Sequence, residues 1–440
     1  MRIFYTFFIH LYSFGILIAS LFNEKAKLLQ SGRKKSFRIL EEKCENKKVI
    51  WFHCASLGEY EQGKPLIQKL RSLHSDCTFL VTFFSPSGYE VKKNDKDIDI
   101  AAYLPADSPR NARRFIHTVK PVAAFFVKYE YWFNYMKKLS DNKIPFFYLS
   151  AIFRPTQYFF KPYGRWFARQ LRTCTHFFVQ NETSKQLLNG IGISQVAVTG
   201  DTRFDRVYAI AQQQAELPFA ADFKGKSKLL VAGSSWQPDE QVLAEVFPKI
   251  KNNYKLLIAP HVIDKEHIAY IKNLFAEEKT LCYSEMDGKN LAEYNVLIVD
   301  TIGLLSKLYR YADVAMIGGA FATGLHNTLE AAVFGIPLFF GPEYAKFQEA
   351  IELVRRGGAF SIHTSDEMTE HMVQFETDPD FYQKTCQICT DYVTENRGAC
   401  NKIIEYYTLC RRTLFTTMYC DTVRDTIDKI NKLFNDLLKS

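Results

Sequence analysis

The chain has 440 residues, 47% of them hydrophobic and 24% charged, a composition that excludes disordered and collagen-like classes. That length exceeds what one core usually serves, so two domains plus appendages are expected. A net charge of +8 suits an acidic partner, whether nucleic acid, an anionic membrane or a phosphorylated substrate, without choosing among them.

The N-terminal segment makes the choice. Residues 3–22, "IFYTFFIHLYSFGILIASLF", are apolar over about the 20 residues a membrane helix needs, with only His10 able to carry charge. Lys25, Lys27, Arg33, Lys34 and Lys35 follow, a basic flank that predicts a cytoplasmic location for the rest of the chain. No A-x-A cleavage site occurs in 18–30, and the basic cluster comes after the apolar run. A retained anchor or interfacial helix over 1–24 is therefore expected rather than a cleaved signal.

From 48 onward, β-rich runs alternate with amphipathic stretches: "VIWFHCA", "CTFLVTFF", "VAAFFV", "IPFFYLSA", "HFFVQ" and "VAVTG". That rhythm predicts a parallel sheet wrapped by helices over 25–208. It pauses at 209–228, "AIAQQQAELPFAADFKGKSK", a polar linker, and restarts with "LLVAG", "KLLIAP", "NVLIVD", "VAMIGG" and "IPLFFG", a second doubly wound unit over 229–400. In the tail, 401–440, Val423, Ile427, Ile430, Leu433 and Leu437 recur at helical spacing. The ten cysteines are scattered and read as reduced thiols; Cys386 and Cys389 form a lone C-x-x-C without a second pair, so no metal site is expected.

In parallel sheets ligands bind beyond the carboxyl ends of the strands, so four strand-to-helix turns carry the candidate chemistry. In "HCASLGEYEQGKP", Ser56 and Glu59 have the spacing of a capping box, while Gly58 and Gly63 tolerate a cost that a plain cap does not need. Glu59 is either that cap or a general base. In "VAGSSWQPDEQ", Gly233, Ser234 and Ser235 precede a helix with Asp239 and Glu240 in its first turn, which reads as a phosphate seat or as a serine N-cap. In "DVAMIGGAFATGLHNTLEAAVFGIPLFFGP", Gly318 and Gly319 end a strand, and a helix is expected near Asn327 with Glu330 three residues on. Backbone there can approach a phosphate and a carboxylate can accept from ribose hydroxyls; the spacing fits neither a dinucleotide fingerprint nor a P-loop. His326 alone reads as a hydrogen-bonding side chain. In "FFVKYEYWFNYMKKL", Lys128 and Glu130 follow a strand among aromatics, either as a sugar or anionic acceptor edge or as a plain ion pair.

Taken in order, "WFHCASLGEYEQGKPLI", "TFFSPSGYE", "YLPADSPRNARRFI", "KYEYWFN", "VTGDTRFDR", "VAGSSWQPDE", "VDTIGLLSKLYRYADVAMIGGAF" and "HNTLEAAVFGIPLFFGP" resemble the 3-deoxy-D-manno-octulosonic acid (Kdo) transferases over about 48–400. The resemblance implies a GT-B architecture of two Rossmann-like domains facing a cleft, with a membrane-associating helix before them. It implies inverting transfer of Kdo from CMP-Kdo to a lipid A precursor, a step of lipopolysaccharide synthesis at the cytoplasmic face of the inner membrane. Glu59 matches the family's general base, with Ser56, Gly58, Lys128 and Glu130 on the acceptor side. Gly233, Ser234, Ser235, Gly318, Gly319, His326, Asn327 and Glu330 fall on the donor side. No metal, cofactor, nucleic acid or obligate protein partner is implied. The family's proline-arginine-histidine-proline run reads "IAPHVIDKEH" here, which leaves His261 or Lys265 for the anionic donor, and "ATGLHN" replaces a double glycine plus histidine. Another GT-B nucleotide-sugar enzyme and a membrane-anchored binding protein are the alternatives.

Overall fold

A computed structural model describes residues 1–213, 216–416, 431 and 434. The chain forms two compact units, one of Met1–Arg206 with the residues from Arg397 onward, the other of Val207–Asn396.

In the first unit the apolar runs become strands β1 (Val49–Cys54), β2 (Thr78–Phe83), β3 (Ile100–Tyr103), β4 (Pro121–Val127), β5 (Phe146–Ala151), β6 (His176–Val179) and β7 (Val196–Val198). They pair in the order β3-β2-β1-β4-β5-β6-β7, every pair parallel. β1 and β5 are buried at every residue, because both faces of the sheet are covered. On one face Phe52, Phe125 and Phe147 stack at 4.8 and 5.1 Å between ring centres. The helices Leu57–Leu73 and Ala399–Thr416 cover them through Leu66, Ile67, Leu70, Ile403, Tyr406 and Tyr407. The opposite face carries Trp51, Phe126 and Tyr148 under Phe115 and Tyr135.

The second unit repeats the scheme with β8 (Lys228–Ser235), β9 (Tyr254–Pro260), β10 (Thr280–Cys282), β11 (Val296–Ile298), β12 (Val314–Ile317), β13 (Leu338–Phe340) and β14 (Ala359–Ser361). Their order is β10-β11-β9-β8-β12-β13-β14, again parallel. In each unit the order reverses direction once beside a central strand, at β1/β4 and at β8/β12. These switch points are where doubly wound sheets leave a crevice for ligands. The stretch 209–228 contains the end of the helix Thr202–Gln212 and the helix Pro218–Lys224, which buries Ala220 and Phe223.

The apolar N-terminal segment is the helix Arg2–Ala19, and one face of it lies against the first unit. Arg2 Nε donates to Asn134 Oδ1, the Tyr5 hydroxyl donates to Asp107 at 2.6 Å, Tyr12 stacks on Phe84, and Ile16 is buried with Leu29 and Tyr103. Positions 2, 5, 12 and 16 share a helical face. The opposite face leaves Ile3, Phe4, Phe7, Phe8, Leu11, Phe14 and Ile18 exposed. The described part of the tail is the helix Ala399–Thr416 with Asn431 and Phe434; Tyr406 donates to Asn431 at 2.7 Å. Val423, Ile427, Ile430, Leu433 and Leu437 lie outside the described residues.

Phe125 is fully buried between the sheet and the returning helix Ala399–Thr416, so truncating it opens a cavity at the seam that ties the chain's two ends together. Phe125→Ala should lower unfolding stability by about 3–5 kcal/mol in urea titrations. A loss below 1 kcal/mol would show that the helix does not pack there.

Candidate active site

At the switch point of the first unit, β1 runs into Ser56 and the helix Leu57–Leu73. Glu59 reaches back from the first turn: its Oε2 accepts from the Ser56 backbone N–H at 2.7 Å and from the Ser56 hydroxyl. Its Oε1 has no protein partner among the described residues, and the side chain is half-buried. One oxygen caps the helix and holds the carboxylate in place while the other remains available. Gly58 is exposed, and among the described residues a Cβ there would meet only Ser56 Oγ at 3.9 Å, so no neighbour crowds Gly58 itself. Gly63 is a packing glycine, 3.3 Å from Val127 at its Cβ position.

Beside it, β4 ends in Lys128, whose backbone takes the left-handed φ of +61° while its N–H donates to Leu149 O. This turn brings Glu130 back over the sheet edge. Glu130 Oε2 lies 3.2 Å from His53 Nε2 and accepts from Trp132 Nε1 at 2.9 Å. His53, fully buried at the end of β1, is held on its other side by Thr82 Oγ1 at 2.9 Å. Glu59 and Glu130 stand close enough that both push up the pKa of the Cys54 thiol, after the larger effect of burial. Sequence reasoning singled out both carboxylates but missed His53 and Trp132, which reach Glu130 from another strand and from two residues on. Nearby, burial pushes the Asp201 carboxyl up, but Arg203 and Lys128 more than offset it and hold it below the usual range. Gln62 and Arg203 fix that carboxylate from opposite sides. Lys128 therefore contributes charge to Asp201.

In the second unit, the turns after β8 and β12 pack so tightly that a Cβ on Gly318 would stand 2.3 Å from Ser234 O, and one on Gly233 would overlap the Tyr309 hydroxyl. These glycines serve close approach of backbone. Ser234 has φ +55° and is half-buried, while the Ser235 hydroxyl is buried and donates to Glu240, which also holds His267. One expectation is corrected here. The residue capping the helix Gln237–Ile250 is Trp236 instead of a serine, because Asp239 satisfies the turn by accepting from Trp236 N and Gly319 N, both at 2.9 Å. The helix expected near Asn327 is present as the single turn Leu329–Ala332, too short to offer a substantial dipole; Asn327 before it donates to Glu330 and accepts from Leu329 N.

Around these turns three rings form a stack: Trp236 on His261 at 4.7 Å and His261 on His326 at 4.6 Å. Trp236 Nε1 donates to His326 Nε2 at 3.2 Å. Burial, reinforced by His261, lowers the His326 pKa to about 4. His261 is exposed, as is Lys265 at the start of the helix Lys265–Leu274. A 470 Å³ cavity borders this stack, lined by Trp236, Val262, Asp264, His267 and Thr323. The stack was not legible from spacing, since its rings come from three separate turns. The described cysteines are free, and among the described residues no group of three or more His, Cys, Asp or Glu side chains is arranged to hold a metal.

Residues 30–206, which carry Glu59, His53 and Glu130, match the family model of 3-deoxy-D-manno-octulosonic-acid transferase. Over those residues the first unit is similar to the Kdo transferases. The chain is 26% identical to the 3-deoxy-D-manno-octulosonic acid transferase of Aquifex aeolicus, over 74% of this chain and 86% of that one. It is 25% identical to a bifunctional glycosyltransferase/methyltransferase of Fusobacterium nucleatum over 82% of this chain, and spans only 59% of that protein's length. In fold it is similar to the UDP-GlcNAc 2-epimerase of Neisseria meningitidis, with a TM-score of 0.58 and 16% identity, over 81% of this chain and 98% of that one. Two parallel seven-stranded units and this structural likeness make the fold GT-B.

Asp239 supplies a test of the second unit's switch point. Burial raises its pKa to about 6, and its Oδ1 is buried without a partner among the described residues. A carboxyl raised on folding stabilises below its unfolded pKa near 4, and that contribution is lost as pH rises through 6. Relative to Asp239→Asn, the wild type should lose about 3 kcal/mol at most between pH 4 and 7 in urea unfolding. A difference independent of pH would contradict this placement.

Proposed function

We propose that the protein transfers Kdo from CMP-Kdo to a hydroxyl of a lipid A precursor, with Glu59 as general base. The observation that carries the reading is the divided Glu59 carboxylate: Oε2 is held by Ser56 and Oε1 has no partner among the described residues, at the switch-point edge of the unit that matches the family. In this reading the acceptor's hydroxyl oxygen attacks the anomeric carbon of Kdo as Glu59 Oε1 takes the hydroxyl proton. The bond from that carbon to the phosphate oxygen breaks, and CMP leaves with the electron pair. Glu130, oriented by His53 and Trp132, fits a hydrogen-bond acceptor for the incoming sugar.

On the donor side, the backbone N–H groups around Ser234 and the His261 and His326 rings are the groups offered to the anionic nucleotide. Asn327 and Glu330 are assigned to its ribose. No metal or cofactor takes part in this mechanism.

The exposed apolar face of the helix Arg2–Ala19, with exposed Lys25, Lys34 and Lys35 following, supports binding in the plane of an anionic membrane. We assign that surface to the cytoplasmic face of the inner membrane, where such an acceptor lipid lies.

Transfer is tested by incubating the protein with CMP-Kdo, generated in place, and a tetra-acylated lipid A precursor, and reading the product mass. The wild type should add one or more Kdo increments. Glu59→Gln should lower turnover by roughly 10²–10⁴-fold with donor binding kept, the usual cost of removing a general base. Equal activity in the variant would remove Glu59 from the chemistry. A folded wild type that binds CMP without transfer would point to another GT-B nucleotide-sugar enzyme or a binding protein.

A further inference from the structure

Among the half-buried arginines of the first unit, Arg71, Arg203 and Arg206 hold the carboxylates of Asp99, Asp201 and Glu61, and Arg2 holds the Asn134 amide. Arg33 holds no carboxylate among the described residues. Its Nε donates to the Leu104 carbonyl at 3.1 Å, and its guanidinium lies 4.9 Å over the Phe84 ring. Both outer NH₂ groups lack a protein acceptor among the described residues. The side chain is half-buried, and a guanidinium withdrawn from water without a counter-charge is costly to keep.

The position is built rather than incidental. The helix carrying it, Glu24–Cys44, is pinned on both sides of Arg33. Gly32 sits so close to Tyr103 that a Cβ would fall 2.2 Å from the ring, and Ser36 donates to Tyr103 O at 2.8 Å. Leu104 and Phe84 directly follow β3 and β2, so the guanidinium lies at the carboxyl edge of the sheet, the same edge that carries Glu59 and Glu130.

Phe84 connects it in two directions. It stacks on Trp132 at 5.3 Å, whose indole N–H is bonded to Glu130, and on Tyr12 at 6.1 Å, from the helix whose opposite face is apolar and exposed. The Tyr12 hydroxyl lies within electrostatic reach of the guanidinium. A planar fork with two free NH₂ groups and a nearby hydroxyl matches an anion with three terminal oxygens. An apolar helix on one side and a sugar site on the other match a lipid whose headgroup carries that anion.

From this geometry we infer that Arg33 binds a phosphate monoester on the headgroup of the glycolipid acceptor. The inference rests on the acceptor assignment above. Arg33 acts here by binding substrate, with no part in proton transfer.

The test compares wild type, Arg33→Gln and Arg33→Lys on a phosphorylated tetra-acyl acceptor and on the same lipid after phosphatase treatment. Arg33→Gln should raise KM for the phosphorylated acceptor roughly 10- to 100-fold with kcat within about threefold, the pattern of a lost binding contact. Arg33→Lys should restore part of it. On the dephosphorylated lipid the variants and wild type should converge, because the partner is gone from both sides. An equal loss on both lipids, or no change on the phosphorylated one, overturns the inference.

If the wild type transfers to neither lipid, the transferase reading fails and the site is tested by binding alone. Phosphatidylcholine vesicles doped with phosphatidic acid, a lipid phosphate monoester, are compared with vesicles doped to equal charge with phosphatidylglycerol, a diester. Wild type should prefer the former and Arg33→Gln should lose that preference. No preference, or inorganic phosphate alone binding as tightly as the vesicles, overturns the lipid assignment.

Discussion

Parallel strands can be joined only by crossovers that return the chain to its starting end, so each unit delivers all its strand-to-helix turns to one edge. The rest of the structure depends on that constraint. It gathers His53, Ser56, Glu59 and Glu130 from two distant segments of the first unit. It likewise gathers Trp236, His261 and His326 from three turns of the second. The interior of each sheet is given over to packing, and the phenylalanine stack of the first unit shows how completely.

The two edges are built from different physics. The first is ionic, with half-buried carboxylates held by backbone and indole donors beside an imidazole, and cations placed around them. Such an edge can fix a neutral hydroxyl and move its proton. The second is aromatic and glycine-rich: backbone segments approach so closely that side chains are excluded, and three rings stack in place of a salt-bridged network. A flat, polarizable surface of stacked rings suits a nucleotide base more than a sugar alcohol. The likeness of residues 30–206 to the Kdo transferase family model fits that division of labour.

The central strands were legible in the sequence because a strand buried on both faces is an unbroken apolar run, as "VIWF" and "KLLI" are. The strands that sequence reading passed over were β3, β10 and β14, each at a sheet edge and four residues or fewer in length. A strand paired on one side needs no long apolar run to mark it. The Ser56–Glu59 pair was readable because a cap is local, and the structure adds that one carboxylate oxygen does the capping while the other has no partner among the described residues. His53 on Glu130 and Trp236 on His326 join residues 77 and 90 positions apart, and no spacing rule reaches that far. The return of the helix Ala399–Thr416 onto the first unit was equally out of reach, because its apolar face fits any sheet of the right hydrophobicity.

A single displacement with Glu59 as base inverts the anomeric carbon of the transferred sugar. The most direct measurement is the anomeric configuration of the product, read by NMR against that of the donor generated in the same reaction. An inverted centre is expected. A retained centre would require a second displacement through an enzyme-bound nucleophile, and would contradict a mechanism in which Glu59 only takes the proton.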